Sequence, residues 1–559
     1  MTKWDETCDV LAVGSGGGLA GAYTAAREGL DVIVIEATDK YGGTTAYSGG
    51  GGMWFPCNAV LRRSGDDDTI DDALEYYRSV VGDRTPADVQ EAYVRGGAGL
   101  IDYLEEDSNF EFQILPWPDY FGEKPKARAS GRHIVPKPMN ATRLGVLRDS
   151  LRSPLATERL GEELPAYLVG GQSLIGRFML ALSTYPNAAM HLNTALEELV
   201  VEDGRVVGAV VEQGGRRRTI RAHRGVILAA GGFEQNETLR AEFGVPGSAV
   251  DTMGCPGNLG KAHQAAVAVG ADTDLMGEAW WSPGLTHPDG RSAFALWFTG
   301  GIFVDDKGRR FVNESAPYDR LGRSVIEHMR AGKVTTPYWM IYDNREGAVP
   351  PVKAPNVPMA QTKQYVDAGL WKSAQTLEDL AAQIDVPAAE LVETVKRFNA
   401  SAATGVDADF DRGDTAYDRA FSEGFAARTD RPRSVSRCCF RNLRPRDQRW
   451  STHRRDREGT QSRRYGDCRV VRCGEHDGSG QRDNVPRRWK SDRSEHVVQP
   501  LGCTRPHEAA VVSQPVRVGK RQALPSPAAI PLSSWVSIAV PNDESWATCR
   551  SSRPSKRRP

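Results

Sequence analysis

The chain has 559 residues, enough for two or three domains with cores of their own. Its 71 basic and 72 acidic side chains nearly cancel, so the molecule as a whole has no field of one sign to attract nucleic acid or anionic lipid. No stretch approaches the roughly 18 apolar residues of a membrane-spanning helix, and the N-terminus lacks the features of a secretory signal. We therefore expect a cytoplasmic protein that binds neither nucleic acid nor membrane.

The first informative segment is a strand, a helix and a second strand. The apolar runs at residues 10–13 and 32–35 predict two buried parallel strands, and residues 20–28 predict a helix between them. Glycines follow the first strand at once, where they allow a tight turn and the close approach of a pyrophosphate, and the helix N-terminus offers free N–H groups to the phosphates. This βαβ unit predicts a dinucleotide site, with Glu36 placed to bind the adenosine ribose.

The glycine fingerprint of this site is irregular. Counting from Gly14, which directly follows the strand, the third glycine position falls on Leu19. Counting from Gly16, the pattern of Gly16, Gly18 and Gly21 fits, but the turn becomes two residues longer. We prefer Gly14 and Gly16 as the phosphate turn. The predicted phosphate-binding residues are Gly14, Ser15, Gly16, Gly17 and Gly18.

A second glycine-rich segment favours FAD over a nicotinamide cofactor. The sequence DKYGGTTAYSGGGG follows the ribose acid and supplies a further cradle of backbone and hydroxyl groups, which a nicotinamide site does not need. Downstream, residues 194–215 read as two strands around a turn at Asp203 and Gly204, and a later strand ends at residues 229–232. The predicted contacts of the second cradle are Gly42, Gly43, Thr44, Thr45, Ser48, Gly49, Ala230 and Gly231.

Five segments carry a resemblance to a known family. They read GSGGG, YGGTTAYSGGG, ILAAGGFEQN, GGIFVDDKGRRFVNESAPYD and TVKRFNASAATGVDADFDRGDTAYDR, and the match runs from residue 1 to about 420. Together they resemble flavoproteins related to fumarate reductase and, within these, the 3-ketosteroid Δ1-dehydrogenases. The resemblance implies an α/β fold with a Rossmann-like FAD-binding domain at residues 1–278, an inserted α+β catalytic domain at 279–435, and a return to the FAD domain at the C-terminal end.

The resemblance also implies the reaction and its residues. Dehydrogenation of carbons 1 and 2 of a 3-ketosteroid removes an acidic proton beside the carbonyl and a hydride from the neighbouring carbon. FAD accepts the hydride, Tyr318 takes the proton, and Tyr120 is hydrogen-bonded to Tyr318. Because an ordinary tyrosine has a pKa of about 10, a tyrosine base needs neighbours that favour the phenolate. We expect no metal, a monomer, and an unidentified electron acceptor that reoxidises the flavin.

The segment WWSPGLTHPDGRSAFALWFTGG lacks the His and Arg cluster that a dicarboxylate reductase would need. We expect Phe294, Trp297 and Phe298 to form apolar walls for a flat hydrocarbon ligand, although a plain domain core would look much the same. His287 is expected to be structural or exposed. The alternatives are a ketosteroid dehydrogenase acting at another ring position, a fumarate-reductase-like enzyme and, outside the enzymes, a nucleic-acid-binding protein with a basic tail.

The composition of the chain changes near residue 425, beyond which arginines and cysteines crowd together. The family's Thr-Tyr-Pro-Gly-Ala-Gly motif, whose tyrosine hydroxyl and last glycine N–H would hold the substrate carbonyl, is absent. Back-translated and read one nucleotide later, residues 484–490 permit that motif, 469–477 permit Gly-Leu-Tyr-Ala-Val-Gly-Asn-Thr, and 446–451 permit Gly-Thr-Ser-Gly-Gly. We therefore expect a reading-frame error between about residues 420 and 446, and a disordered out-of-frame tail at residues 436–559 in place of the last part of the FAD domain.

Overall fold

The computed structural model describes residues 3–298, 300–343, 352–421 and 435–440. The strands are β1 Glu6–Val13, β2 Val32–Ile35, β3 Met53–Trp54, β4 Phe112–Leu115, β5 His133–Pro136, β6 Met139–Asn140, β7 Tyr167–Leu168, β8 Ala188–His191, β9 Thr194–Glu202, β10 Arg205–Gln213, β11 Arg216–Leu228, β12 Gly284–Thr286, β13 Ser292–Phe298, β14 Ile302–Val304, β15 Tyr338–Asp343, β16 Val352–Pro355, β17 Trp371–Ala374 and β18 Val435–Phe440.

The helices follow the same order along the chain. They are α1 Gly18–Arg27, α2 Gly43–Tyr47, α3 Ala59–Arg63, α4 Ile70–Val81, α5 Ala87–Glu105, α6 Leu155–Leu160, α7 Gly170–Leu182, α8 Glu237–Glu242, α9 Lys261–Ala268, α10 Tyr318–Arg330, α11 Thr362–Asp367, α12 Leu377–Ile384, α13 Ala388–Thr404 and α14 Ala416–Phe421, with 3-10 turns at Ala141–Ser150 and Ala249–Asp251. Within the described residues, none of the helices is both long and apolar enough to cross a membrane.

The first sheet has the strand order β8-β2-β1-β11-β10-β9. The first four strands are parallel, and β10 and β9 add an antiparallel extension. Helices α1 and α7 cover one face, and α9 covers the other. Because both faces are covered, β2 is the uninterrupted apolar run VIVI with every residue buried.

The predicted βαβ unit is confirmed, with shifted bounds. β1 begins at Glu6 rather than at residue 10, because Glu6 to Cys8 pair with β11 as well. α1 begins at Gly18, two residues earlier than expected, and ends at Arg27. The phosphate turn before it is therefore shorter than the sequence suggested.

The predicted hairpin between β9 and β10 is also confirmed. Its two turn residues, Asp203 and Gly204, have positive φ angles of 51° and 76°. Two-residue turns with positive φ match the natural twist of paired strands, and Gly and Asp tolerate that conformation. The hairpin extends the first sheet beside β11, whose end at Leu228 leads into the predicted residues 229–232.

The second sheet is formed from residues 284–440 and has the order β14-β15-β18-β12-β13-β16, with β17 beside β18. Its strand pairs are antiparallel. Leu321 and Val325 of α10 pack into its core against Phe303 and Tyr338. Strands and helices are mixed here as expected for residues 279–435, but β18 continues to Phe440. The domain boundaries stay predictions. Residues 436–440, the start of the expected disordered tail, lie in β18, and residues 441–559 lie outside the described residues.

Candidate functional site

A cavity of about 280 Å³ lies at the carboxyl ends of β1 and β2. Of the residues predicted to bind the dinucleotide, those that line it are Gly14, Ser15, Gly16, Glu36, Gly43, Thr44, Thr45, Ala230 and Gly231. The others do not line it: Gly17 and Gly18 begin α1, whereas Gly42, Ser48 and Gly49 flank α2. The structure therefore brings two separate glycine-rich segments and the end of β11 to one cavity.

Gly14 makes the turn that opens this cavity. Its φ is 98°, and its N–H donates a hydrogen bond of 2.9 Å to the carbonyl of Ile35. A β-carbon at this position would lie only 2.3 Å from the carbonyl oxygen of Ala229. Only glycine meets both conditions without strain. Because Gly16 lines the cavity and α1 begins at Gly18, the positive end of the α1 dipole lies at the cavity.

Glu36 is buried at the cavity and held by four donors. Ser15 donates from Oγ to Oε2 at 2.5 Å and from its backbone N–H at 3.3 Å, and Thr38 donates to Oε1 from N and Oγ1 at 3.0 and 2.9 Å. Arg152 donates to Thr38 Oγ1 at 2.7 Å, and Gly42 N–H donates to Ser15 Oγ at 2.8 Å. A carboxylate has about four acceptor sites, and the longest of the four bonds is that from the Ser15 N–H.

The wall of the cavity that sequence analysis missed comes from residues 255–263. Asn258 donates from Nδ2 to Thr44 Oγ1 at 3.0 Å, and the backbone N–H of Cys255 donates to the same oxygen at 3.0 Å. Burial raises the pKa of the Cys255 thiol to about 11 and lowers the pKa of His263. The sequence PGNLG, which predicts a turn directly before α9, was the one local signal for this segment, but it does not indicate that the segment reaches the cavity.

The cavity also contains polar atoms that suit a bound dinucleotide. Thr45 Oγ1 and His263 Nδ1 are buried and accept or donate no hydrogen bond within the described part of the chain. Buried polar atoms are normally paired, so these two atoms and the glycine turn fit FAD, whose phosphates and hydroxyls could pair with them. The same wall includes Thr194, Ala195 and Leu196 at the start of β9.

The two predicted catalytic tyrosines lie in one aromatic cluster. The rings of Tyr120 and Tyr318 are in edge contact with centroids 5.8 Å apart, and Phe294 lies 4.9 Å from Tyr318. Tyr318, the first residue of α10, is 1% exposed. Tyr417, which sequence analysis did not single out, contacts Tyr120 at 5.3 Å. Trp117 completes the cluster beside Tyr417 at 6.0 Å.

Met253 connects the aromatic cluster with the cavity wall. It packs against Phe294 in the aromatic cluster and also against a second group of buried residues that contains Tyr47 and Cys255. The backbone N–H of Phe294 lies 3.0 Å from Met253 Sδ. Since Cys255 lines the cavity, the tyrosines and the predicted dinucleotide site are neighbours in the fold.

Buried ion pairs bring two of the sequence motifs together. Arg310 binds Glu314 at 2.8 Å and Asp407 at 2.7 Å, and Asn313 donates to Asp418 at 3.3 Å. These bonds join the segment that leads to Tyr318 with the segment that leads to Tyr417. The motif residues therefore have a structural role in placing the aromatic cluster.

The four residues singled out in the segment from 280 to 301 have four different outcomes. Phe294 lies in the aromatic cluster. Phe298 packs into the core of the second sheet, 5.0 Å from the ring of Phe303, as the alternative of a plain domain core predicts. Trp297 belongs to β13, but its side chain lies outside the described residues. His287 is structural, since it is buried and its Nδ1 lies 3.2 Å from the hydroxyl of Tyr365.

Comparison with known proteins gives consistent matches. Residues 9–437 match the family described as FAD binding domain. The chain is 33% identical to the 3-oxosteroid 1-dehydrogenase of Mycolicibacterium smegmatis, over 74% of this chain and 81% of that protein. It is 34% identical to the 4-oxocyclohexanecarboxylate 2-dehydrogenase of Sinomonas cyclohexanicum, over 74% of this chain and 77% of that protein.

Among solved structures, the chain is similar to the 3-ketosteroid Δ1-dehydrogenase from Sterolibacterium denitrificans in complex with 1,4-androstadiene-3,17-dione. The TM-score is 0.69 at 28% sequence identity, and the match covers 78% of this chain and 87% of that structure. The similarity therefore extends over most of both chains.

Proposed function

The chain belongs to the FAD-binding domain family and, within it, to the family of the 3-oxosteroid 1-dehydrogenases, and we propose on this basis that it catalyses FAD-dependent 1,2-dehydrogenation of 3-ketosteroids. It is a flavoenzyme of mixed helices and strands that binds FAD. The observation that carries the proposed reaction is the contact between Tyr318 and Tyr120 beside the apolar ring of Phe294.

In the proposed reaction Tyr318 accepts the proton from carbon 2. It lies at the N-terminal end of α10, where negative charge on a side chain is favoured, which suits a tyrosine that acts as a phenolate. Tyr120 is adjacent and would hydrogen-bond to the Tyr318 hydroxyl. Bound FAD supplies the acceptor for the hydride. Phe294 and Met253 keep water from this region, since both pack in the same apolar cluster.

The residues proposed to hold FAD are those that line the cavity. The turn from Gly14 to Gly16 would bind the phosphates with the N-terminal end of α1, and Glu36 would bind the ribose. Gly43, Thr44 and Thr45 would bind the part of the cofactor that faces the aromatic cluster. Support comes from Thr45 Oγ1, which has no hydrogen-bond partner among the described residues, and from the proximity of Cys255 to Met253.

We also propose that the C-terminal part of the chain is out of frame. The family match ends at residue 437, within the interval from about 420 to 446 in which the frame error was inferred. The shifted frame permits the motif whose tyrosine and glycine would hold the substrate carbonyl. Because each donor to such an oxyanion is worth about 3 kcal/mol, the printed chain is expected to turn over slowly and to retain FAD poorly.

A second candidate substrate is a smaller cyclic ketone that carries a carboxylate. It is favoured by one observation: the Sinomonas cyclohexanicum relative is as similar to this chain as the steroid dehydrogenase is. The aromatic cluster offers rings rather than a cation to the substrate, which favours a large apolar ketone. The cytoplasmic location, the monomeric state and the electron acceptor stay predictions.

The test compares two full-length proteins: the printed chain, which has the sequence as given, and the frame-restored chain, in which the proposed reading-frame error is corrected. Each is assayed with 4-androstene-3,17-dione and with 4-oxocyclohexanecarboxylate, using an artificial electron acceptor and product analysis. We expect the frame-restored chain to bind FAD and to produce the 1,4-diene from the steroid. Higher kcat/KM for the cyclohexanone carboxylate would select the second candidate, and a product dehydrogenated at another ring position would refute the 1,2-assignment.

The role of Tyr318 is tested by Tyr318→Phe, with Tyr338→Phe as the matched control. Tyr338 is equally buried but lies in the core of the second sheet. Loss of a general base typically lowers the rate by about 10²- to 10⁴-fold, so we expect kcat to fall by that factor in Tyr318→Phe alone. Equal rates for the two variants would rule out Tyr318 as the base.

A further inference from the structure

Three buried charged residues, Asp68, Asp119 and Arg132, form an ion cluster that reaches the residue next to Tyr120 in the chain. Arg132 donates from Nε and Nη2 to the two carboxylate oxygens of Asp68 at 2.7 and 2.9 Å, and from Nη1 to Asp119 Oδ2 at 2.8 Å. The side chains of all three residues are 1% exposed. Trp54 donates its indole N–H to Asp119 Oδ1 at 2.8 Å. Asp119 directly precedes Tyr120, so the cluster fixes the chain at the tyrosine.

The residue after Arg132 contacts the Tyr120 ring itself. His133, which follows Arg132 at the start of β5, stacks on Tyr120 with centroids 6.3 Å apart and an interplanar angle of 25°. Arg320 of α10 also donates to the backbone carbonyl of Tyr120 at 3.0 Å. Tyr120 is therefore held through its ring by His133 and through its backbone by Arg320, while the neighbouring Arg132 binds Asp119.

We propose that Arg132 is a positioning residue that sets the place of Tyr120 relative to Tyr318 through Asp119. This inference rests on the proposed function, in which the two tyrosines work together. Arg132 itself contacts the carboxylates and lies over the rings of Trp54 and Tyr76, so its effect on the reaction passes through Asp119.

Only an arginine can make this set of bonds. Its planar guanidinium binds both oxygens of Asp68 and still reaches Asp119 with the third nitrogen, whereas a lysine offers one point charge on a flexible stem. Asp119 depends on these bonds because burial raises the pKa of its carboxyl group, and Arg132 opposes that rise. With lysine at position 132, Asp119 would lose the guanidinium bond to Oδ2 and keep only the Trp54 indole N–H and the Arg128 backbone N–H as donors, so we expect the Tyr120 loop to shift.

The test uses Arg132→Lys and Asp68→Asn, with Arg177→Lys as the matched control. Arg177 is as buried as Arg132, but it donates to the backbone carbonyls of Asn109 and Lys137 instead of to a tyrosine-bearing loop. Asp68→Asn keeps the side-chain size and provides a second variant if Arg132→Lys fails to fold. Kinetics are measured on the frame-restored, FAD-loaded full chain.

The second readout does not require turnover. In the printed full chain, Tyr120 is replaced by 3-fluorotyrosine, and its ¹⁹F resonance is recorded in each variant. A misplacement of about 1 Å can cost about 10²-fold in rate. We therefore expect kcat to fall by about 10²-fold in Arg132→Lys and by about tenfold in Asp68→Asn, with KM nearly unchanged, and the resonance to move in both.

Two results would overturn the inference. One is a resonance that stays in place in both variants, and the other is a kcat that matches that of Arg177→Lys. A frame-restored parent chain without ketone dehydrogenase activity would refute the proposed function instead. In that case the resonance alone decides whether Arg132 holds Tyr120.

Discussion

Replacing Gly14 by alanine tests whether the turn after β1 needs glycine for its conformation, for space, or for both. Gly29 provides the matched comparison. Gly14 has a φ of 98° and Gly29 has a φ of 86°, so both are in a conformation that L-residues rarely adopt. A β-carbon at Gly29 would meet nothing within 4 Å, whereas at Gly14 it would meet Ala229 and Ala230.

The geometry gives the size of the expected effect. At Gly14 the β-carbon would lie 2.3 Å from Ala229 O and 2.7 Å from Ala230 Cα, and both are backbone atoms of the segment that lines the cavity. Positive φ alone costs alanine about 1–2 kcal/mol, which is the expected loss of stability for Gly29→Ala. Overpacking adds about 1–3 kcal/mol, so Gly14→Ala should lose about 2–5 kcal/mol.

Two assays separate the contributions. Urea denaturation of the full printed chain measures the free energy of unfolding, and FAD titration of the frame-restored chain measures Kd. Because β1 and residues 229–231 must move apart in Gly14→Ala, we expect its Kd to rise at least about tenfold, which is about 1.4 kcal/mol, while Gly29→Ala keeps the parent value. If the two variants lose equal stability and bind FAD equally, the close approach at Gly14 is not what the turn requires.

Three further predictions concern the cavity. Ser15→Ala removes two hydrogen bonds of the Ser15 hydroxyl, the one it donates to Glu36 and the one it accepts from the Gly42 N–H. FAD binding should weaken by roughly tenfold, and an unchanged Kd would contradict this. Burial lowers the pKa of His263 below 6.5, so as the pH falls His263 is protonated in the unfolded chain before it is protonated in the folded one. The free energy of unfolding should therefore fall as the pH drops below about 6.5. Denaturation measured from pH 7.5 to 5 should show a smaller fall in His263→Gln. With its pKa near 11, Cys255 should react slowly with iodoacetamide at pH 8, about tenfold faster per pH unit up to pH 10, and more slowly when FAD is added, as mass spectrometry would show.

The dinucleotide cavity could be predicted in large part because its signals are local. The apolar runs of β1 and β2, the glycines between them and Glu36 occur within one short segment, and periodicity alone identifies them. Asn258 and His263 were missed because they reach the cavity from a segment more than 200 residues away. Nothing near them in sequence indicates which site they approach.

The tyrosine site shows a different limit. Tyr120 and Tyr318 were identified through their motif contexts, and the structure brings them into contact. Tyr417 and Arg132 could not be found in this way, because their contacts with the Tyr120 loop depend on tertiary packing. Phe298 shows why a pocket wall and a domain core could not be separated from sequence: it follows Phe294 on the same strand, but the two rings lie in different clusters.

The walls of the cavity come from segments near residues 14, 36, 44, 195, 230 and 258, so a cofactor that binds there connects distant stretches of the polypeptide. Binding to the native state alone adds about 2.7 kcal/mol of stability when the free ligand is at 100 times its Kd. A cell short of riboflavin would therefore be expected to clear the frame-restored protein faster by proteolysis. Its abundance would then follow vitamin supply even if transcription stayed constant.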